Sequence, residues 1–239
     1  MSHLGNGGKR VQSNENTYSL LVAIFAAILV LTNIIGVKIF TFAPDMFSNG
    51  LFGNPITLTT GIITYPLTFL VTDIVSEIYG EKKATRMVFL GFIVSIISLF
   101  FIQLAVFLPG SNVWINSDLG YNTVQEMQNA YESVFTLPGI LIVASMTAYL
   151  VAQVVDVKIF HFLKRITSGK HLWLRNNLST SVSQLIDTII VNSIFLYIGL
   201  GLSFNIIFQI IVTTYVFKII IALIDTPIVY LVVNLLKKN

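Results

Sequence analysis

Seven ionisable side chains lie within or at the edge of otherwise apolar stretches of this chain: Lys38, Asp73, Glu77, Asp156, Asp187, Lys218 and Asp225. A charge at the centre of a hydrocarbon layer costs roughly 2.5–3.5 kcal/mol or more, so such groups persist where they face one another or a polar cavity. Carboxylates in that setting accept charge-assisted hydrogen bonds from the N–H groups of a solute. The chemistry on offer is therefore recognition and passage of something polar, a small molecule or an ion. Bond-making chemistry lacks its parts. There is no phosphate-cradling glycine loop, no His-Glu-x-x-His and no serine nucleophile elbow. The histidines, His3, His161 and His171, fall in predicted loops, and no Gly-x-Gly-Asp context surrounds Asp187 or Asp225. With no cysteine in the chain there is no disulfide and no thiolate metal site. The chain is expected to be neither an enzyme nor a holder of cofactors or metals.

The elements that carry these charges are membrane spans. The 239 residues are 55% hydrophobic and 10% charged, with a mean hydropathy of +0.83, whereas soluble domains carry about 25% charged residues. Crossing a bilayer core takes roughly 20 apolar residues. Six such runs are expected, at about 18–40, 55–80, 84–108, 134–157, 176–200 and 205–236. The loops 41–54, 109–133 and 201–204 hold no lysine or arginine, while the tails and the other two loops hold 12 of the 14 basic residues. The positive-inside rule then places both termini in the cytoplasm, in agreement with an even number of crossings. The net charge of +3 is a topology signal and asks for no nucleic-acid partner.

The fold class is thus an all-α integral membrane protein of six transmembrane helices, with a bilayer as its surroundings. Residues 1–17 are expected to be a disordered cytoplasmic tail and residues 18–239 a single membrane transport domain. The first run is too long, and lacks the cleavage site, for a removable signal peptide. Residues 123–133 are expected to form a short surface helix opened by a Thr123–Glu126 capping box. The basic loop 158–175 suits either a short amphipathic interfacial stretch or a plain loop. Leu185-Ile186-Asp187-Thr188 recurs as Leu223-Ile224-Asp225-Thr226, an echo compatible with a 3+3 pseudo-repeat of the kind that places a substrate site at the repeat interface. Gly199-Leu200-Gly201 offers close helix contact, within one subunit or in a homodimer.

Two of the runs carry polar stripes. In the second, Asp73 and Glu77 are four residues apart and share a helix face with Tyr65, Phe69, Thr68, Thr72 and Ser76 on or beside it. Pro66 is expected to loosen the backbone near Ile62. In the fifth, Asn176, Thr180, Ser183 with Gln184, and Asp187 recur at spacings of three and four. Asp187 lies about 18 Å along a helix from Arg175, near the midplane. On the sixth run Lys218 and Asp225 are seven apart; Lys218 is placed to pair with Asp187 or Asp225, and Thr226-Pro227 marks a kink. Asn33 and Lys38 come from the first run, and Gln153 and Asp156 from the fourth. Lys38, Asp156 and Lys158 read as interfacial, and Glu77 as either interfacial or ligand-facing.

These residues also carry a resemblance. Thr64-Tyr65-Pro66-Leu67-Thr68-Phe69, leading to Thr72-Asp73-Ile74-Val75-Ser76-Glu77-Ile78-Tyr79-Gly80, resembles a signature of the queuosine precursor transporter family, also called the vitamin uptake transporter family. Trp173-Leu174-Arg175-Asn176-Asn177-Leu178-Ser179-Thr180, then Ser183-Gln184-Leu185-Ile186-Asp187-Thr188, resembles its second signature. The likeness extends into the first run through Leu31-Thr32-Asn33-Ile34. It implies uptake of a 7-deazaguanine, the 7-cyano or aminomethyl form, across a bacterial inner membrane by alternating access. The stripes suit such a ligand. A carboxylate accepts from a guanine-like N–H and amine together, an amide reads the ring carbonyl, and Tyr65 or Phe69 stacks on the ring. The expected substrate-binding set is Asn33, Tyr65, Phe69, Asp73, Glu77, Asn176, Gln184 and Asp187, with Arg175 and Asn176 at the cytoplasmic mouth and Lys218, Asp225 and Arg175 as charge-pair candidates. Two other readings stay open: a substrate-binding subunit that needs a separate energising ATPase complex, and an ion or proton pathway.

Overall fold

A computed structural model describes residues 5–36, 38–42, 57–136, 139–199, 201 and 203–238. Asp45 of the lysine-free loop and Leu200 lie outside the described residues. The chain runs α1 (Gly5–Ile35), β1 (Ile39–Thr41), β2 (Thr57–Thr59), α2 (Tyr65–Tyr79), α3 (Glu81–Phe107), α4 (Val124–Phe135), α5 (Gly139–Ile166), α6 (Leu172–Asn192) and α7 (Phe204–Lys238). Among the described residues six helices are long and apolar enough to cross a membrane, one for each expected run. α3 shows why lipid is needed around them. It exposes Phe89, Ile93, Ile97, Phe100 and Phe101, a face that water would not tolerate over such a length.

Several boundaries depart from expectation for local reasons. α1 begins at Gly5, so it takes in residues expected to lack structure. Its N-terminal half is tied to α3, because Glu15 pairs with Lys83 and the Tyr18 hydroxyl donates to the Lys83 carbonyl at 3.0 Å. Pro66 sits in the first turn of α2, after a 3-10 turn at Thr60–Ile63. There its missing N–H costs nothing, so it starts the helix and does not loosen it. α5 continues through Ile166, which puts Lys158, Lys164 and Arg165 on one long helix in place of a separate interfacial stretch. The strands β1 and β2 pair antiparallel, Ile39 opposite Thr59, and were not expected. α4 is the expected surface helix: Thr123 and Glu126 exchange side-chain-to-backbone bonds at 3.2 and 3.0 Å. Pro227, where a kink was expected, lies inside α7.

Two glycines are required by geometry. Gly80, at φ +85°, is the single residue between α2 and α3, and only glycine enters that region without strain. At Gly91 a Cβ would sit 2.5 Å from the Phe25 ring, so α1 and α3 approach as closely as they do because no side chain intervenes. The apolar core around Phe25, Val75, Met87, Val88 and Tyr149 joins α1, α2, α3 and α5. α5 packs on α6 and α6 on α7. α2 packs on α1, α3, α5 and α7, and it meets α6 through long polar side chains.

Candidate functional site

The polar stripes of α2 and α6 face each other, and α5 and α7 close the sides. Period decides which residues turn inward. On α2, Tyr65, Phe69, Asp73 and Glu77 stand four apart, and on α6, Asn176, Thr180 and Gln184 do the same. The interior they make has three levels along the bundle.

At the end rich in lysine and arginine, Glu77 accepts from Arg175 at 2.6 Å and from Lys164 at 2.8 Å. Lys164 also donates to the Glu77 carbonyl at 3.0 Å. Arg175 is wholly buried. A second guanidinium nitrogen donates to the Lys170 carbonyl at 2.7 Å, and its plane lies 5.4 Å from the Phe160 ring, a cation–π arrangement that suits an unhydrated guanidinium. This level ties α2, α5 and α6 together.

One turn deeper are Asp73 of α2 and Asp156 of α5, both fully buried. Thr180 donates to Asp73 Oδ2 at 3.5 Å and Ser183 to Asp156 Oδ1 at 3.0 Å. Asp73 Oδ1 and Asp156 Oδ2 are buried without a hydrogen-bond partner. Beside them Gln153 is held at both ends of its amide, accepting from Thr72 at 3.0 Å and donating to Thr68 at 3.1 Å.

The third level is Asp187. Its Oδ1 accepts from the Tyr65 hydroxyl at 2.7 Å and its Oδ2 from Lys218 at 2.6 Å. The Lys218 ammonium also lies 5.2 Å from the Tyr65 ring centre.

Between the second and third levels, α2, α6 and α7 enclose a cavity lined by Pro66, Phe69, Leu70, Asp73, Asn176, Thr180, Gln184, Lys218, Ala222, Asp225 and Val229. Its free room is about 10 Å³, roughly what one water needs. A larger solute enters this conformation only if the helices part.

Four of the expected substrate residues, Phe69, Asp73, Asn176 and Gln184, line that cavity, and so do Lys218 and Asp225. Tyr65 and Asp187 stand behind it, joined through Lys218. Glu77 and Asn33 are not in its lining. Glu77 is neither interfacial nor open, since its side chain is 6% exposed and held by two cations. One expectation is corrected: Asp156 is not interfacial, because α5 runs ten residues past it and it is fully buried. Of the two partners expected for Lys218, it takes Asp187 on the facing helix and not Asp225 on its own. Arg175, a charge-pair candidate, is wholly buried and paired to Glu77. The residues missed were Asp156 and Lys164. Asp156 follows Gln153 by three, a spacing that puts both on one face, and that was the available signal.

Six membrane-length helices among the described residues, with polar side chains turned inward, define a multi-pass membrane protein. Residues 59–232 match the family described as "Putative vitamin uptake transporter". The chain belongs to that family, and it is a multi-pass bacterial membrane protein. It is 33% identical over 183 residues, 75% of this chain and 72% of the relative, to a "Probable queuosine precursor transporter" of Bacillus subtilis. A protein of the same description from Haemophilus influenzae is 25% identical over 139 residues, 58% of this chain. The "Queuosine precursor transporter" of Escherichia coli is 27% identical over 131 residues, 55% of this chain. These last two matches cover 52% of each relative. No solved structure matches the chain.

Proposed function

We propose that this protein imports a 7-deazaguanine precursor of queuosine across the bacterial inner membrane, by alternating access around the cavity between α2, α6 and α7, with both termini in the cytoplasm. One observation carries the reading at the site. Asp73, Asn176 and Gln184 each keep a buried oxygen without a hydrogen-bond partner, and all three line the cavity beside Phe69. Buried acceptors left open cost about 1–3 kcal/mol each, and a flat ring with N–H and amino donors on one edge answers them. Phe69 supplies a face for that ring. The names of the three relatives support the same solute. Tyr65, Asp187 and Lys218 form the wall of the site, and Glu77 with Arg175 and Lys164 closes the cytoplasmic end. The small cavity supports an occluded conformation, as alternating access requires.

The test is a thermal-shift screen of purified protein against guanine, the cyano and aminomethyl deazaguanines and queuine, since a ligand of the folded state raises apparent stability. Uptake into liposomes without any ATPase then separates a self-sufficient carrier from a capture subunit. Binding without uptake favours the subunit; no binding by any deazaguanine ends the proposal.

A further inference from the structure

The charges of the interior do not balance. Glu77 is answered by Arg175 and Lys164, and Asp187 by Lys218. Those pairs engage the cation that lines the cavity and the buried arginine beneath it. Asp73, Asp156 and Asp225 have no ion-pair partner among the described residues. Five acids, Glu77, Asp73, Asp156, Asp187 and Asp225, face three cations, Arg175, Lys164 and Lys218, so even with one acid protonated a negative charge stands unanswered.

Hydrogen bonding shows the same bias. The open buried atoms in the cavity lining are Asp73 Oδ1, Asn176 Oδ1 and Gln184 Oε1, all acceptors, on residues 1%, 3% and 3% exposed. Asn176 spends its amide N–H on Thr226 at 3.4 Å, and its oxygen has no partner. Asp225 is half-buried at the α7 side of that cavity. A solute that brings only neutral N–H groups satisfies the oxygens but leaves the charge. A solute that also brings a cation satisfies both.

We infer that the cavity is selective for a flat, donor-rich ring bearing a protonated amine, with Asp225 as the residue that receives the ammonium. This rests on the deazaguanine reading above and chooses within it. The aminomethyl form carries an ammonium at neutral pH and the cyano form does not. The division of labour follows from burial. Asp73, deep and in the same lining as Asn176 and Gln184, takes the ring edge. Asp225, partly exposed, takes the ammonium, which keeps some of its hydration.

The experiment measures Kd of the purified full-length protein for three probes: the aminomethyl deazaguanine, its hydroxymethyl analogue, which is similar in shape but uncharged, and the cyano deazaguanine. A charge-assisted contact is worth about tenfold or more in affinity, so the aminomethyl probe is expected to bind at least that much more tightly than either neutral probe. In Asp225→Asn the advantage is expected to shrink towards one, with the larger loss on the aminomethyl probe. Equal or tighter binding of the cyano probe by the unmodified protein overturns the inference while leaving the deazaguanine reading intact. An advantage that survives Asp225→Asn undiminished overturns the role of Asp225. Failure of all three probes to bind removes both readings. The three-probe comparison needs no variant to fold.

Discussion

Asp73 and Asp187 face one interior from opposite helices and are treated in opposite ways. Asp187 is closed: a lysine at 2.6 Å and a tyrosine hydroxyl at 2.7 Å occupy its two oxygens. Asp73 is open: a threonine reaches one oxygen at 3.5 Å, the other has no donor, and its close neighbour is another acid. Burial is similar for both, so depth does not separate them. Partnership does. On the function proposed above, Asp187, which the protein answers itself, works for the fold, and Asp73, which it leaves unanswered, is kept for the ligand.

The contrast breaks most sharply in Asp73→Asn. Uptake is expected to fall to background while the melting temperature holds or rises, because no protein cation loses its partner. A melting temperature that drops as far as that of a core deletion would make Asp73 structural. Next in size is Lys218→Met, which strands Asp187 in the interior; removing one partner of a buried pair costs about 3–5 kcal/mol, read as a lower unfolding midpoint. The double variant Lys218→Met/Asp187→Asn is expected to recover most of that loss, and failure to recover would mean that the pair is not the unit. Glu77→Gln sharpens the comparison from the other end of the bundle. It weakens two charge-assisted contacts and is expected to cost about 1.5–3 kcal/mol in stability, with ligand affinity nearly unchanged because Glu77 is outside the cavity lining. The smallest effect on binding among the cavity-lining residues is expected from Phe69→Leu: loss of a ring face worth about 0.5–1.5 kcal/mol weakens ligand binding about two- to tenfold in a titration.

Much of this was legible in the chain before any coordinates. Long apolar runs and helical spacing are local properties, so six spans, the α2 and α6 stripes and the α4 capping box could be read directly. Partner choice was not local. Lys218 sits seven residues from Asp225 on one face, yet it reaches across to Asp187, because a flexible lysine stem spans neighbouring helices as easily as two turns of its own. Asp156 looked interfacial because Lys158 follows it, and the continuation of α5 to Ile166 reversed that. Glu77 was ambiguous for the same reason: Lys164 and Arg175 that hold it are 87 and 98 residues away. The β1–β2 pairing left no trace, since three-residue strands carry too little alternation to see.

Gly80 has a mechanical consequence. With a single residue as the joint between α2 and α3, there is no slack for α2 to slide lengthwise unless α3 is dragged with it, along with the broad greasy face that α3 presents outward. Tilting about the joint meets no such load. Under the alternating access proposed above, this joint favours rocking over sliding, with Gly80 as the pivot and the far end of α2, where Tyr65 stands, as the end that swings furthest.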